Sequence, residues 1–170
     1  HGVHRRQRQM CIRDRNERNP SSRSIINAAF DHAGECYSLA DGSKLYLVHR
    51  LDSPTSGILL ACTNFCAAKE LKSAFEQRMV KKTYYAIVRS SVKPRLGIWK
   101  DSLLEKKDKG KIRVVKGRGS DAITEVSEVR KPGGLYGLSM LKLLPRTGRT
   151  HQLRVQTALR DLPIVGDRSY

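Results

Sequence analysis

The sequence contains no run of about 18 apolar residues, the length a membrane-spanning helix requires, so no such helix is expected. Its four cysteines, Cys11, Cys36, Cys62 and Cys66, form no C-x-x-C pair and lie in no close Cys/His cluster, which argues against a structural metal. Cys62 and Cys66, between an apolar run and a helix start, read instead as buried reduced thiols and point to a reducing compartment. No secretory h-region precedes a small-residue cleavage site, which makes the cytoplasm or an organelle matrix the default location, of which the cytoplasm is expected. Walker and dinucleotide-binding patterns are absent, as is any internal repeat. Acidic residues are scarce: 16 Asp and Glu stand against 33 Lys and Arg, for a formal charge of +17. Such an excess attracts polyanions over a Debye length of about 8 Å, so nucleic acid is the first partner to consider and an acidic membrane the second. Solvated Lys-rich faces produce the same composition, so charge alone does not decide.

What is present suits one soluble domain. A chain of 170 residues, 39% hydrophobic and 29% charged, is too apolar for wholesale disorder, and a domain near that length buries roughly 68–70% of its unfolded surface. Residues 1–23 are different in kind: seven Arg, no Lys, two acids and little apolar periodicity. This stretch reads either as a basic RNA-binding arm or as a non-native or disordered leader, because Gln7 to Arg15 resembles translated adapter sequence; it is left out of the expected fold. The remaining 24–170 still carry 26 basic and 14 acidic residues.

From Ser24 the pattern is regular. Ser24 is placed to cap a short helix through His32 with Ile25, Ile26, Ala29 and Phe30 as its stripe. Strands are expected at Leu45 to His49 and Ile58 to Cys62, joined by the turn-rich Leu51 to Gly57. Asn64 caps a helix through Met79, since Ala67, Leu71, Ala74, Phe75 and Met79 recur at three- and four-residue spacing. Lys82 to Val88 alternates, with Tyr84, Ala86 and Val88 on one strand face and Tyr85 and Ile87 on the other. Further strands are expected at Ile112 to Val115, Ala122 to Val129 and Leu135 to Leu144, the last two joined by a turn at Pro132 to Gly134. Lys106 to Arg118, with seven basic residues and one acid, reads as a loop or hairpin. Thr150 caps a last helix whose stripe is Val155, Ala158, Leu159 and Leu162. The sum is an α+β fold with a mixed, largely antiparallel sheet and a few packed helices.

Three segments carry groups suited to chemistry. His49-Arg50-Leu51-Asp52-Ser53-Pro54-Thr55-Ser56-Gly57 sets a carboxylate on a loop between two strands, either as an Asx-turn residue or as a functional acid. Arg146 to Arg154 leads a basic, glycine-containing turn into a helix N-terminus, a phosphate-favouring arrangement or an ordinary capped helix. Tyr84 is on its own most simply a core aromatic.

Taken in order, the three resemble the RluA-type branch of the RNA pseudouridine synthases, whose motifs read H-R-L-D-x-x-T-S-G, K-x-Y-x-A-x-V and G-R-T-H-Q-L-R-V. Here they are His49 to Gly57, Lys82 to Val88 and Gly148 to Val155. The resemblance runs over 24–170 and includes Leu162 to Asp167, while an upstream N-K-P-x-G strand and later strands of the family are missing, so the catalytic domain is expected to be truncated. Gln156 stands where a histidine is usual. The resemblance implies isomerisation of uridine to pseudouridine in structured ribosomal or transfer RNA, by a monomer, with no cofactor, metal or membrane. It implies that Asp52 is the catalytic carboxylate, Arg154 its ion-pair partner, and Tyr84 a stacking surface for the uracil. Arg50 is expected to fill the space a flipped uridine leaves, with Thr55 orienting the loop and His49 either structural or functional. Lys81, Lys82, Arg149, His151 and the loop residues Lys109, Lys111 and Arg113 are expected on the RNA backbone. The alternatives are a non-catalytic basic RNA-binding module and an inactive synthase fragment.

Overall fold

The computed structural model describes residues 2–5, 26, 28–52, 54–90, 94–108, 111–130 and 137–170. It divides into two units, His1–Val80 and Lys81–Tyr170.

The first unit is a five-stranded sheet in the order β1-β5-β4-β3-β2, from strands β1 (Gly2–Arg5), β2 (Ala29–Asp31), β3 (Cys36–Ser38), β4 (Lys44–Leu47) and β5 (Ile58–Cys62), every pairing antiparallel. β1 lies within the Arg-rich 1–23 that had been left out of the fold. Strand alternation sorts adjacent residues to opposite faces. Cys36, Tyr46 and Cys62 pack with Val48 against the helix α1 (Phe65–Glu76), while Tyr37, Leu45 and Ala61 gather Ile26, Ala28, Phe30 and Leu47 on the other side. The Asn64 side chain accepts the Ala67 N–H at 3.0 Å, the expected N-cap. α1 ends three residues before Met79: Arg78 adopts a left-handed φ of 61°, and Met79 is exposed.

Two expectations fail in this unit. The helix through His32 is instead the β2–β3 hairpin; Ser24 and Ile25 lie outside the described residues. Ile26, Ala28 and Phe30 recur every second residue and share one cluster, a strand period, whereas the expected helical stripe took Ile25, Ile26, Ala29 and Phe30. The Asp31 carboxylate accepts the Ala33 N–H at 3.0 Å, and a Cβ at Gly34 would come within 2.8 Å of that side chain, so the chain reverses there. Cys62 is buried as expected, but Cys66 is exposed, because the stripe facing the sheet runs through Ala67, Ala68, Leu71 and Phe75.

The second unit is a five-stranded antiparallel sheet in the order β6-β10-β9-β7-β8, from β6 (Tyr84–Arg89), β7 (Gly97–Asp108), β8 (Lys111–Lys116), β9 (Ser120–Arg130) and β10 (Leu138–Pro145), with the helix α2 (Gln152–Ala158). Ala86, Val88, Trp99, Val126, Leu141, Leu143 and Leu162 form its core, each large aliphatic side chain contributing about 1.5–3 kcal/mol. After α2 the chain returns along β6, where the Arg89 N–H donates to the Pro163 carbonyl at 3.0 Å and the Val165 N–H to the Ile87 carbonyl at 2.9 Å. Lys106 to Arg118 is the β7–β8 hairpin and its exit turn, which closes tightly: a Cβ at Gly119 would collide with the Leu103 carbonyl. The Pro132 to Gly134 turn lies outside the described residues.

The twelve-residue β7 was not expected at all. Trp99 and Leu103 point inward, but the inward position between them is Asp101, which breaks the apolar alternation. The cap of α2 also differs: His151, at a left-handed φ of 51°, takes the N-cap position and makes no side-chain cap bond. The Gln152 side chain turns back to accept the Arg149 N–H at 3.0 Å. Among the described residues no helix is long and apolar enough to cross a membrane. The architecture is α+β, two helices with antiparallel sheets.

Candidate active site

In the first unit the β4–β5 ladder ends where the loop bearing Asp52 begins. Tyr46 and Leu47 pair with Cys62 and Ala61, and two residues on, the His49 imidazole takes over: its Nε2 accepts the Leu60 N–H at 2.9 Å. That bond leaves the ring proton on Nδ1. The same ring stacks on Phe75 at 4.9 Å and 22°, tying the loop entrance to α1. Leu51 is buried and anchors the next turn, closed by the Thr55 N–H donating to the Asp52 carbonyl at 2.9 Å. Asp52 and Thr55 are thereby held half-buried, and Arg50 is exposed.

In the second unit Lys82, Tyr84, the 148–151 turn and Arg154 come from three elements. Tyr84 is half-buried and packs on the core with Leu153 and Ile164. Lys82 lies over Gly148, its ammonium 3.4 Å from where a Cβ would stand. Lys81 is exposed; so is Arg149, whose Nε donates to the Asp121 carbonyl at 3.0 Å. On β8, Arg113 is exposed and Lys111 pairs with Asp108 through its backbone; Lys109 lies outside the described residues. A cleft of about 390 Å³ opens beside Gly148 and Arg149, walled by Leu103, Leu104, Glu105 and Val114.

Arg154 is built in with unusual care. Its Nε and Nη2 grip Asp167 at 2.6 and 2.9 Å, a bidentate pair with side chains only 11% and 4% exposed. The Nη1 edge of the fork points away from Asp167. The guanidinium also lies 5.0 Å over the Tyr170 ring. The Tyr170 hydroxyl accepts the Val114 N–H at 2.9 Å and sits 2.8 Å from His151 Nδ1. Burial acts to raise the Asp167 pKa, but the hydrogen bonds from Arg154 and the Ser169 N–H, with the arginine charge, outweigh it and hold the carboxyl below its ordinary value.

A buried polar chain links Thr147, Gln152, Thr124 and Gln156 of the second unit to Asp101. Thr147 Oγ1 donates to Gln152 Oε1 at 2.7 Å, and Gln152 Nε2 donates to Thr124 Oγ1 at 2.9 Å. Thr124 in turn donates to Gln156 Oε1 at 2.6 Å, and Gln156 Nε2 donates to Asp101 Oδ2 at 2.7 Å. Arg160 closes the chain on Asp101 at 2.9 Å while covering Trp99 at 4.5 Å. Asp167, Tyr170 and this chain were not marked by sequence reasoning as site residues. The one available signal was that Gln156 departs from the family histidine; Asp167 lay in a stretch already matched to the family but given no role. Among the described residues, no group of three or more His, Cys, Asp or Glu is placed to hold a metal ion.

Comparison with known proteins bears on both units. The family model described as RNA pseudouridylate synthase matches residues 26–159. Ribosomal large subunit pseudouridine synthase C of Rickettsia typhi (strain ATCC VR-144 / Wilmington) is 35% identical over 151 residues, covering 86% of this chain and 48% of the relative. Ribosomal large subunit pseudouridine synthase D of Borreliella burgdorferi (strain ATCC 35210 / DSM 4680 / CIP 102532 / B31) is 37% identical over 125 residues, 73% of this chain and 37% of that one. The solved structure of human RNA pseudouridylate synthase domain containing 1 aligns with a TM-score of 0.65 at 29% identity, covering 74% of this chain and 55% of that one. The chain thus spans about half the length, or less, of the curated relatives it matches. All three motifs fall inside the matched 26–159, in the order the resemblance requires, and the chain belongs to the RluA-type RNA pseudouridine synthase family.

Proposed function

We propose that this chain isomerises uridine to pseudouridine in structured RNA, with Asp52 as the reacting carboxylate. The observation that carries the reading is the family match enclosing Asp52, Tyr84 and Arg154 in their motifs. The names of the relatives favour ribosomal over transfer RNA. In the reaction the bond from the ribose anomeric carbon to N1 breaks, the uracil turns, and the same carbon bonds to C5; C5 loses a proton and N1 gains one. No electrons are exchanged with an outside reagent, so the chain's own side chains suffice.

Asp52 acts as a nucleophile toward the anomeric carbon or as a base toward the neighbouring sugar proton. Either role requires an ionised carboxylate, which a guanidinium preserves better than an ammonium because its fork fixes orientation as well as charge. Arg154 supplies that guanidinium, and Asp167 presets its plane. Tyr84 stacks on the uracil, an interaction worth about 1–3 kcal/mol. A paired uridine must leave its helix at a cost of a few kcal/mol, and Arg50 occupies the vacated space. Thr55 shapes the loop, His49 anchors it, and Lys81, Lys82, Lys109, Lys111, Arg113, Arg149 and His151 follow the phosphates.

The test is tritium release from RNA labelled at uridine C5. Wild type is expected to release tritium, and Asp52→Asn to lose about 10²–10⁴-fold in rate. No release by the wild-type chain, or equal release by the variant, overturns the proposal. Tight, salt-sensitive binding without release identifies a basic RNA-binding module instead.

A further inference from the structure

A second cleft, of about 360 Å³, lies wholly in the first unit and is lined by Phe30, His32, Tyr37, Leu47, His49 and Arg50, with Glu35 and Lys72 at its wall. Its size falls in the range of roughly 300–1,000 Å³ that suits small ligands. Its lining is what distinguishes it. Phe30 meets His32 at 5.0 Å and 87° and meets Tyr37 at 5.0 Å and 63°, so two rings stand edge-on around a third. His32 is exposed, and an edge contact with Phe30 leaves a ring face for an incoming flat group. The 390 Å³ cleft of the second unit has no aromatic ring in its lining.

Charge selects the occupant. Lys72 holds Glu35 at 2.7 Å and so offsets the acid at the wall, while the exposed Arg50 supplies a cation at the rim of a chain whose formal charge is +17. Rings with a flanking arginine on a basic protein fit an unpaired nucleobase with its phosphate. Arg50 also starts the loop that carries Asp52, two residues on, which puts the cleft next in the chain to the proposed reacting group.

We propose that this cleft docks an unpaired nucleobase of the RNA strand beside the target uridine, with His32 and Phe30 as its stacking surface. The proposal rests on the reading of RNA as substrate and extends it to a second contact. It explains why an aromatic hairpin is built beside the reactive loop, since a neighbouring base held there fixes the strand once the target is extruded.

The test uses the full chain and a single-stranded hexanucleotide with one 2-aminopurine and five abasic positions, which leaves the fluorophore unstacked and bright, contains no uridine and so cannot react. Binding is expected to quench the fluorophore. His32→Ala is expected to weaken binding about fivefold to a hundredfold, His32→Phe to restore it, and an unlabelled strand abasic at every position to compete for the wild type as weakly as His32→Ala binds the labelled strand. Equal affinity of wild type and His32→Ala, or a fluorophore that stays bright when bound, overturns the proposal. Because the readout needs no turnover, lost quenching with intact tritium release defeats the docking site alone, and intact quenching without release defeats the catalytic reading alone.

Discussion

The loop that carries Asp52 and the helix that carries Arg154 are secured in different ways. The loop is turned by neutral groups: the His49 imidazole on the Leu60 N–H eleven residues away, the buried Leu51, and the Asp52–Thr55 turn. The helix is secured by a buried ion pair, to Asp167 thirteen residues on, and by a polar chain that runs through Gln156 to Asp101 fifty-five residues back. For the proposed roles of Asp52 and Arg154, the arginine's fixed plane is what a preorganised charge requires. The difference teaches that the helix bearing the arginine depends on buried charges, one of them far from it in sequence.

Substitutions on the helix side are the strongest way to break that contrast. Asp167→Ala leaves a buried guanidinium without its carboxylate and is expected to destabilise the protein by about 3–5 kcal/mol, read from the urea midpoint. Replacing both partners, Arg154→Met with Asp167→Leu, is expected to recover most of that stability while tritium release stays lost. Recovery of release in the double variant would contradict the role of Arg154.

Gln156→Ala removes a partner from both Thr124 and Asp101 in a fully buried chain, and an unfolding loss of about 1–3 kcal/mol is expected. On the loop side His49→Ala frees the Leu60 N–H and the face of Phe75, a loss of about 1–2 kcal/mol, and cooling should restore much of its activity. Unchanged stability with abolished release would make His49 a chemical group instead of an anchor.

The smallest effect is a pH dependence. Asp167 titrates below its unfolded value, so the stability its charge confers is complete above about pH 4 and is lost as the pH falls through the folded pKa. The melting-temperature gap between wild type and Asp167→Asn should therefore narrow on acidification. A gap that stays constant to low pH would show that the carboxylate acts by packing alone.

The same contrast explains what could be read from the residues. α1 was legible because its cap and its stripe are neighbours in sequence, and the face assignment of Tyr84 to Val88 followed from alternation alone. β2 was misread because Ile25, Ile26, Ala29 and Phe30 fit a helical stripe while Ile26, Ala28 and Phe30 alternate as a strand, and only the Asp31 turn decides between them. β7 was missed because Asp101 faces inward for the sake of Gln156 and Arg160, partners no local pattern reveals. The motif residues were legible as strings, whereas Asp167 as the holder of Arg154 and Tyr170 as its cover emerge only when the chain is folded.

The most direct measurement is to treat RNA with wild type and with Asp52→Asn at equal fractions bound, digest it to nucleosides, and separate uridine from its isomer. Pseudouridine from the wild type and none from the variant is the expected result; pseudouridine from both, or from neither, would contradict a catalytic Asp52.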